Sequence, residues 1–485
     1  MTFVRRKTLA AVSAVALGAG AVAALVSAPS AAAAGPETTF LVLAPQGNST
    51  AKAAARVTAA GGTVVANYSQ IGVLVARSSD PSFATAVSGS GVEAVASTAG
   101  LGTALAEDEV TGTVDSATLA ATGTTAAEPL FGQQWDMAQI SVPQAHAVNL
   151  GSPNVVVGVL DSGILSTHPD LATQIAKDKS ASCIGGVADT REAAWNPTTS
   201  SHGTHVAGTI AGALNGVGIV GVAPGVKVAS VKVVNDDGFI YPEAAVCGFL
   251  WAADHGMQVT NNSYYIDPWE FNCRNDARQR PVWQAVQRAI RYSQNKGVLN
   301  VASAGNSNVD LAHKTVDSGS PDNGTPETRT INSACLDLPA EAPGVVAVSA
   351  VGTERRKSYY SSYGQGVVNV TAPGGDVRQP NPNVNDSTHA VLSTLSNGKW
   401  GYMQGTSMAG PHVAGVAALA LSAHPNMTPG ALASFLERTA DPLACPAGVY
   451  DPRPGLDQYK AQCSGGANRN GFYGAGEVNA YSVVK

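Results

Sequence analysis

Val155 to Leu160 is an unbroken apolar stretch, rich in β-branched side chains, that stops at an aspartate, Asp161. A run of that kind suits a strand buried on both faces, as in a parallel sheet covered by helices. Similar runs recur at Val226–Val234, Val298–Ala302 and Val345–Val351. Helical patterns lie between them, at His202–Ala213, Pro242–His255, Pro281–Lys296 and Ser407–Ser422. This alternation predicts an α/β domain with a mostly parallel sheet flanked by helices, over residues 131–485. In such sheets ligands bind beyond the carboxyl ends of the strands, where Asp161 stands.

The preceding residues divide differently. Arg5, Arg6 and Lys7 precede an apolar stretch from Leu9 to Val26, and Ala32-Ala33-Ala34 offers a cleavage site before Gly35, so residues 1–34 read as an export signal. Residues 35–97 read strand, helix, strand, strand, helix, strand, the order of a small split βαβ module. Its strands are expected at Phe40–Leu43, Thr63–Asn67, Ile71–Ala76 and Val92–Ala96, with helices at Thr50–Ala60 and after Pro81. Residues 98–130, mostly Ala, Thr, Gly and acidic residues, have little to bury and read as a linker.

Of the 485 residues only 13% are charged, and the net charge of -6 gives no reason to expect nucleic acid or an anionic membrane as partner. The 6 cysteines all lie beyond residue 180 without a C-x-x-C pair, which favours disulfides of an exported protein over a zinc site. Cys445 and Cys463 bracket a Pro/Gly-rich loop and form the favoured pair; Cys183–Cys247 and Cys273–Cys335 would follow.

Three segments carry chemistry. Asp161 ends the first strand in D-S-G-I, with Gly163 permitting a tight exit. His202 opens a helix in H-G-T-H-V-A-G-T; its spacing to His205 lacks the glutamate and third ligand of a zinc site. Ser407 opens another helix in G-T-S-M-A-G-P-H, where backbone N–H groups and the positive dipole end suit a developing oxyanion.

The three motifs, in the order Asp, His, Ser, resemble the signatures of subtilisin-like serine proteases. Ser303-Ala304-Gly305-Asn306 is similar to the segment carrying the family's oxyanion-hole asparagine. Tyr473-Gly474-Ala475-Gly476-Glu477-Val478-Asn479 resembles the stretch that closes the catalytic domain, so no further domain is expected. The resemblance implies a secreted, monomeric endopeptidase, with Asp161, His202 and Ser407 as triad, Asn306 as oxyanion donor and no catalytic cofactor. Protein or peptide substrates are its implied partners, together with its own propeptide, residues 35–97, acting as inhibitor until the linker is cut.

Further residues carry over by resemblance. Gly238 and Phe239, in D-G-F-I, match a substrate-pairing edge, and Ser303, Ala304 and Gly305 match the opposite wall of the P1 pocket. Asn262, Ser263, Tyr264 and Tyr265 stand where the family usually has S-L-G-G, so tyrosine in place of glycine is expected to crowd the cleft. That crowding and the insert from Asp267 to Arg280 suggest a narrower alternative, a dedicated processing protease. Asp170 and Asn215 match two ligands of a structural calcium site, with Gln133 or Gln134 as a further donor. Asp337 is expected near the base of the P1 pocket, yet no Lys or Arg occurs between Arg77 and Phe131. A self-cutting enzyme must therefore accept a non-basic P1 residue, expected at or just before Leu130, and a preference for uncharged, apolar or aromatic P1 side chains is expected.

Overall fold

The computed structural model describes residues 36–98, 128–266, 268–321 and 325–485, together with the backbone of 112–114. The export signal, most of the linker and Asp267 at the head of the insert lie outside the described residues. Residues 36–485 belong to one compact unit.

The N-terminal module follows the expected order: β1 (Thr38–Leu43), α1 (Ala51–Ala59), β2 (Thr63–Tyr68), β3 (Val73–Ser78), α2 (Phe83–Val87) and β4 (Ala94–Ser97). The second helix begins after Pro81 because Asp80 first accepts hydrogen bonds from both the N–H and the hydroxyl of Ser82. The four strands form a separate antiparallel sheet in the order β2-β3-β1-β4. Alternation divides its side chains between two cores. Phe40, Val42 and Leu74 pack with Val57 of α1 and Phe83 of α2. Leu41, Leu43, Val73 and Val75 face the other way, into a cluster shared with the larger domain.

The larger domain is built on seven strands: β5 (Val156–Asp161), β6 (Ala181–Ser182), β7 (Lys227–Lys232), β8 (Val259–Asn262), β9 (Leu299–Ser303), β10 (Val346–Val351) and β11 (Val370–Pro373). Their order is β11-β10-β9-β8-β5-β7-β6, and every pairing is parallel. Helices α3 (His202–Ala211), α4 (Pro242–Asp254), α5 (Arg280–Asn295) and α6 (Thr406–Ala423) match the predicted stretches within one or two residues. α4 and α5 pack beneath the module, whereas α6 is buried along nearly its whole length on the opposite side of the sheet.

Strand order decides where the site falls. The chain leaves β5 toward β6 and β7, then returns to lay β8 on β5's other flank. The resulting crevice opens at the C-terminal ends of β5 and β8, the switch point of the sheet. β8 escaped prediction because its sequence, V-T-N-N, is half polar although all four residues are buried. Most of its polar groups find partners inside: Thr260 donates to Asn300, Asn262 donates to Thr260 and to the carbonyl of Val301, and Asn261 donates to Ser263 while its own Oδ1 has none among the described residues.

The expected domain start at residue 131 moves upstream. Leu130 is fully buried with Ile219, Leu392 and Trp400, and its N–H donates to the carbonyl of Gly218 at 2.8 Å. Glu128 is 2% exposed. Glu128 and Leu130 thus pack with the larger domain rather than with the linker. The three disulfides are those expected: Cys183–Cys247, Cys273–Cys335 and Cys445–Cys463. No helix among the described residues is long and apolar enough to cross a membrane.

Candidate active site

Asp161 is the last residue of the central strand and is 1% exposed. The chain can turn sharply there because Gly163 has φ +104°, and a Cβ on it would lie 2.7 Å from the carbonyl of Trp195. The N–H of Ser162 donates to Asp161 Oδ1 at 2.7 Å, fixing the carboxylate. Gly203 is equally constrained, since a Cβ there would come within 3.0 Å of Asp161 Oδ1.

His202 opens α3 and is 3% exposed. Its Nδ1 lies 2.9 and 3.0 Å from the two carboxylate oxygens of Asp161. A carboxylate only accepts, so Nδ1 carries the proton and Nε2 keeps its lone pair in the neutral ring. His205 plays a different part. Its Nε2 donates to the carbonyls of Val391 and Gly401, both at 3.1 Å, and burial pulls its pKa down to about 3. It is a core residue tying α3 to a hairpin. No group of three or more His, Cys, Asp or Glu fit for a metal ion occurs among the described residues.

Ser407 is the second residue of α6, which packs beside α3. Ser263, just beyond β8, holds this end of α6 in place: its hydroxyl donates to the Ser407 carbonyl at 2.9 Å and accepts from Asn261 Nδ2 at 2.8 Å. Asn306 follows β9 across the crevice. Its Oδ1 accepts from the N–H and the hydroxyl of Thr406, at 2.9 and 2.8 Å. The backbone N–H can only donate, so the amide orientation is fixed and Nδ2 is the group turned away from Thr406. The site therefore gathers a carboxylate-held imidazole, a hydroxyl at a helix N-terminus and an oriented amide, drawn from β5, α3, α6 and the β9 exit.

The expected substrate residues fall on both rims. Gly238 (φ +89°) and Phe239 sit half-buried in a loop closed by Asn235, which accepts from the Phe239 N–H and donates to its carbonyl. Ser303 and Ala304 are buried, and Gly305 is half-buried. Asp337 is 1% exposed, and one of its carboxylate oxygens lies 3.5 Å from the position a Cβ would take on Gly305. The two tyrosines separate. Tyr265 is half-buried at the surface, but Tyr264 turns inward, 5% exposed, with its hydroxyl donating to Asn262 at 3.0 Å. Burial, with the nearby Asp161 charge, pushes its phenol well above the usual range. The expectation that both tyrosines crowd the cleft is thereby reduced to Tyr265.

Away from the triad, Asp170 is fully buried. Its Oδ2 accepts from the Ile219 N–H and from Trp400 Nε1, at 3.0 and 2.6 Å. Asn215 bridges to the carbonyl of Pro169 at 3.2 Å. The glutamines suggested as further donors are engaged elsewhere: Gln133 accepts from Tyr402, and Gln134 makes a double hydrogen bond with the Val220 backbone. Glu128 arrives instead, its Oε1 accepting from Gly216 N–H at 2.7 Å. Asp170 Oδ1 and Glu128 Oε2 are buried without a hydrogen-bond partner among the described residues. Burial raises both carboxyls, Asp170 to about 7, where the Glu128 charge adds to the shift. Two such unpartnered carboxylate oxygens fit a hard cation. The sequence reading missed Glu128 because it was assigned to the linker; its one available signal was an acidic residue directly before Pro129.

Comparison with known proteins gives consistent results. The model of the Subtilase family (Peptidase_S8) matches residues 152–476. Fervidolysin of Fervidobacterium pennivorans is 31% identical over 326 residues, covering 64% of this chain and 41% of fervidolysin. Subtilisin E of Bacillus subtilis (strain 168) is 33% identical over 308 residues, covering 63% of this chain and 65% of the subtilisin. The chain thus spans less than two thirds of the length of these relatives. Among solved structures, the epidermin leader peptide processing serine protease of Staphylococcus aureus has a TM-score of 0.66 at 20% identity, covering 92% of this chain and 98% of that one. A protease of Pseudoalteromonas arctica has a TM-score of 0.52 at 29% identity, covering 74% and 98%.

Proposed function

The chain belongs to the Subtilase family, and from that premise we propose that it is a secreted serine endopeptidase working through Ser407, His202 and Asp161. The observation that carries this reading is the Asp161–His202 pair, with Nδ1 held by both carboxylate oxygens. That contact leaves Nε2 free of its proton to act as general base on the Ser407 hydroxyl and then to protonate the leaving amine. Asp161 stabilises the imidazolium formed in between. Asn306 Nδ2 and the Ser407 N–H stabilise the oxyanion, within a site that uses protein groups alone. Fluorophosphonate labelling of the wild type, absent in Ser407→Ala, tests the assignment. An unlabelled wild type would sink it.

Residues 35–97 act in this proposal as an inhibitory propeptide, and the enzyme cuts itself within residues 99–127. The burial of Glu128 and Leu130 supports a cut upstream of both. Purified Ser407→Ala should remain a full-length precursor; normal maturation without another protease would refute self-cleavage. Residues 1–34 act as the export signal, and the three disulfides suit an oxidising compartment. Asp170, Glu128 and Asn215 would hold a structural calcium ion, which supplies no catalytic step. Tyr265, half-buried where the resemblance puts a cleft glycine, supports the narrower processing protease as a second reading. A cleavage profile over a peptide library separates the two.

A further inference from the structure

Lys357, between β10 and β11, is fully buried (0% exposed) although it takes no part in the triad. A lysine is almost never enclosed unless its ammonium is matched by partners. Its Nζ donates to Asn308 Oδ1 at 2.6 Å and to the carbonyl of Ser358 at 3.3 Å. The same nitrogen lies 5.1 and 5.5 Å from the ring centres of Tyr363 and Phe472. Its backbone is held too: the Lys357 N–H donates to the Tyr473 hydroxyl, and its carbonyl accepts from Tyr450 at 2.6 Å. Burial pulls the ammonium down to about 7, against the opposing pull of the Asp376 carboxylate.

The partner of this buried cation lies two residues from the oxyanion donor. Asn308 adopts φ 51°, and its N–H donates to the carbonyl of Tyr360 at 2.8 Å. Its Nδ2 donates to the carbonyls of Gln458 and Lys460, at 3.0 and 3.3 Å, within the loop closed by Cys445–Cys463. Both ends of the Asn308 amide are therefore engaged, with Lys357 on the oxygen. On either side the strap continues: Val309 N–H donates to Ser362 Oγ at 3.2 Å, and Ser362 N–H donates to the Gly305 carbonyl at 2.9 Å. Asn306 is exposed, so packing alone does not hold it; its place depends on these flanking anchors and on Thr406.

We infer that Lys357 is a positioning residue for the oxyanion hole, acting on Asn306 through Asn308. The inference rests on the proteolytic reading proposed above. An oxyanion donor contributes only when it lies at hydrogen-bond distance from the developing charge, so a small shift of its loop lowers turnover rather than substrate binding.

Steady-state kinetics on protein matured in trans by the wild type test it. Loss of such a donor costs roughly 10²–10³ in kcat, a magnitude known from a subtilisin itself, so Lys357→Met should lower kcat by about tenfold with KM within about twofold. In an Asn306→Ala background the same substitution should cost nothing further, because the group it positions is gone. An equal loss in both backgrounds, a KM change with kcat intact, or no loss at all overturns the inference. If Lys357→Met does not fold, Asn308→Gly carries the same criteria, since glycine accepts the positive φ and removes the acceptor. A wild type that fluorophosphonate fails to label marks failure of the protease reading, distinct from failure of this one.

Discussion

Arg288 of α5 donates from Nη2 to Glu93 of the N-terminal module at 2.7 Å, while its Nη1 reaches the carbonyl of Ala44 at 2.9 Å. Its side chain is 9% exposed, so a nearly buried charge on the larger domain is neutralised by the module. Removing it leaves Glu93 with Gln284 as its remaining side-chain partner and takes the buried donor away from the Ala44 carbonyl. Hydrogen bonds to charged groups are worth about 1.5–3 kcal/mol, so Arg288→Ala should weaken inhibition by the separately added module about 10- to 100-fold. Hydrolysis of a small peptide without the module should be unchanged. An inhibition constant equal to wild type would remove Arg288 as an anchor.

Module binding should also depend on pH through Glu243, near the N-terminus of α4. The residue is 4% exposed, beside Val75 of the module, and burial raises its carboxyl to about 7 against the lowering effects of Thr98 and Arg77. Uncovered, it should titrate nearer its ordinary value of 4.5. The complex then binds more protons than its separated parts, so affinity is fullest below the free value and is lost as pH rises through the bound one. Inhibition should weaken by about tenfold or more between about pH 5 and pH 8. Glu243→Gln should flatten that dependence, and an unchanged slope would assign it to another group.

Calcium should stabilise the matured enzyme. A ligand bound at 100 times its dissociation constant adds about 2.7 kcal/mol, which for a domain of this size is a rise in Tm of about 3–4 °C. A chelator should reverse the gain, and Glu128→Gln with Asp170→Asn should abolish it. Equal melting temperatures with calcium and with chelator would leave the two buried carboxylates without this explanation.

Two features oppose each other at P1. The Asp337 carboxylate stands close behind Gly305, where it would favour a basic side chain. It is only 1% exposed, however, and its N–H is tied to Glu341 at 2.8 Å, which holds it back from the surface. The linker contains no Lys or Arg, and self-cleavage there requires a non-basic P1 residue. Leu- and Phe-P1 peptides should therefore be cut faster than Lys- or Arg-P1 peptides, with Tyr265 limiting size. A kcat/KM at least tenfold higher for the basic pair, about 1.4 kcal/mol in transition-state binding, would show that Asp337 governs the pocket.

The elements and the triad candidates were legible in the sequence because local patterns encode them. An apolar β-branched run has to be buried on both faces, which marked β5, β7, β9 and β10; Gly203 and Gly163 are confined to their places by contact with Asp161 and its neighbours. The module's order was equally readable, whereas the choice among the cysteine pairings was settled only by the fold. What the sequence could not show were partners brought together only when the sheet closes. Asp136 meets His412 Nε2 at 2.9 Å inside the core, and Glu128 comes beside Asp170, although neither pair shares a motif. Tyr264 turns inward because a buried Asn262 accepts its hydroxyl, a consequence of β8 being central rather than of the residue's own character. Lys357 acquires its role in the same way, since a buried ammonium must find an acceptor and only tertiary packing supplies Asn308. Short-range periodicity fixes which residues form elements, whereas the satisfaction of buried polar groups is settled by contacts far apart in the chain.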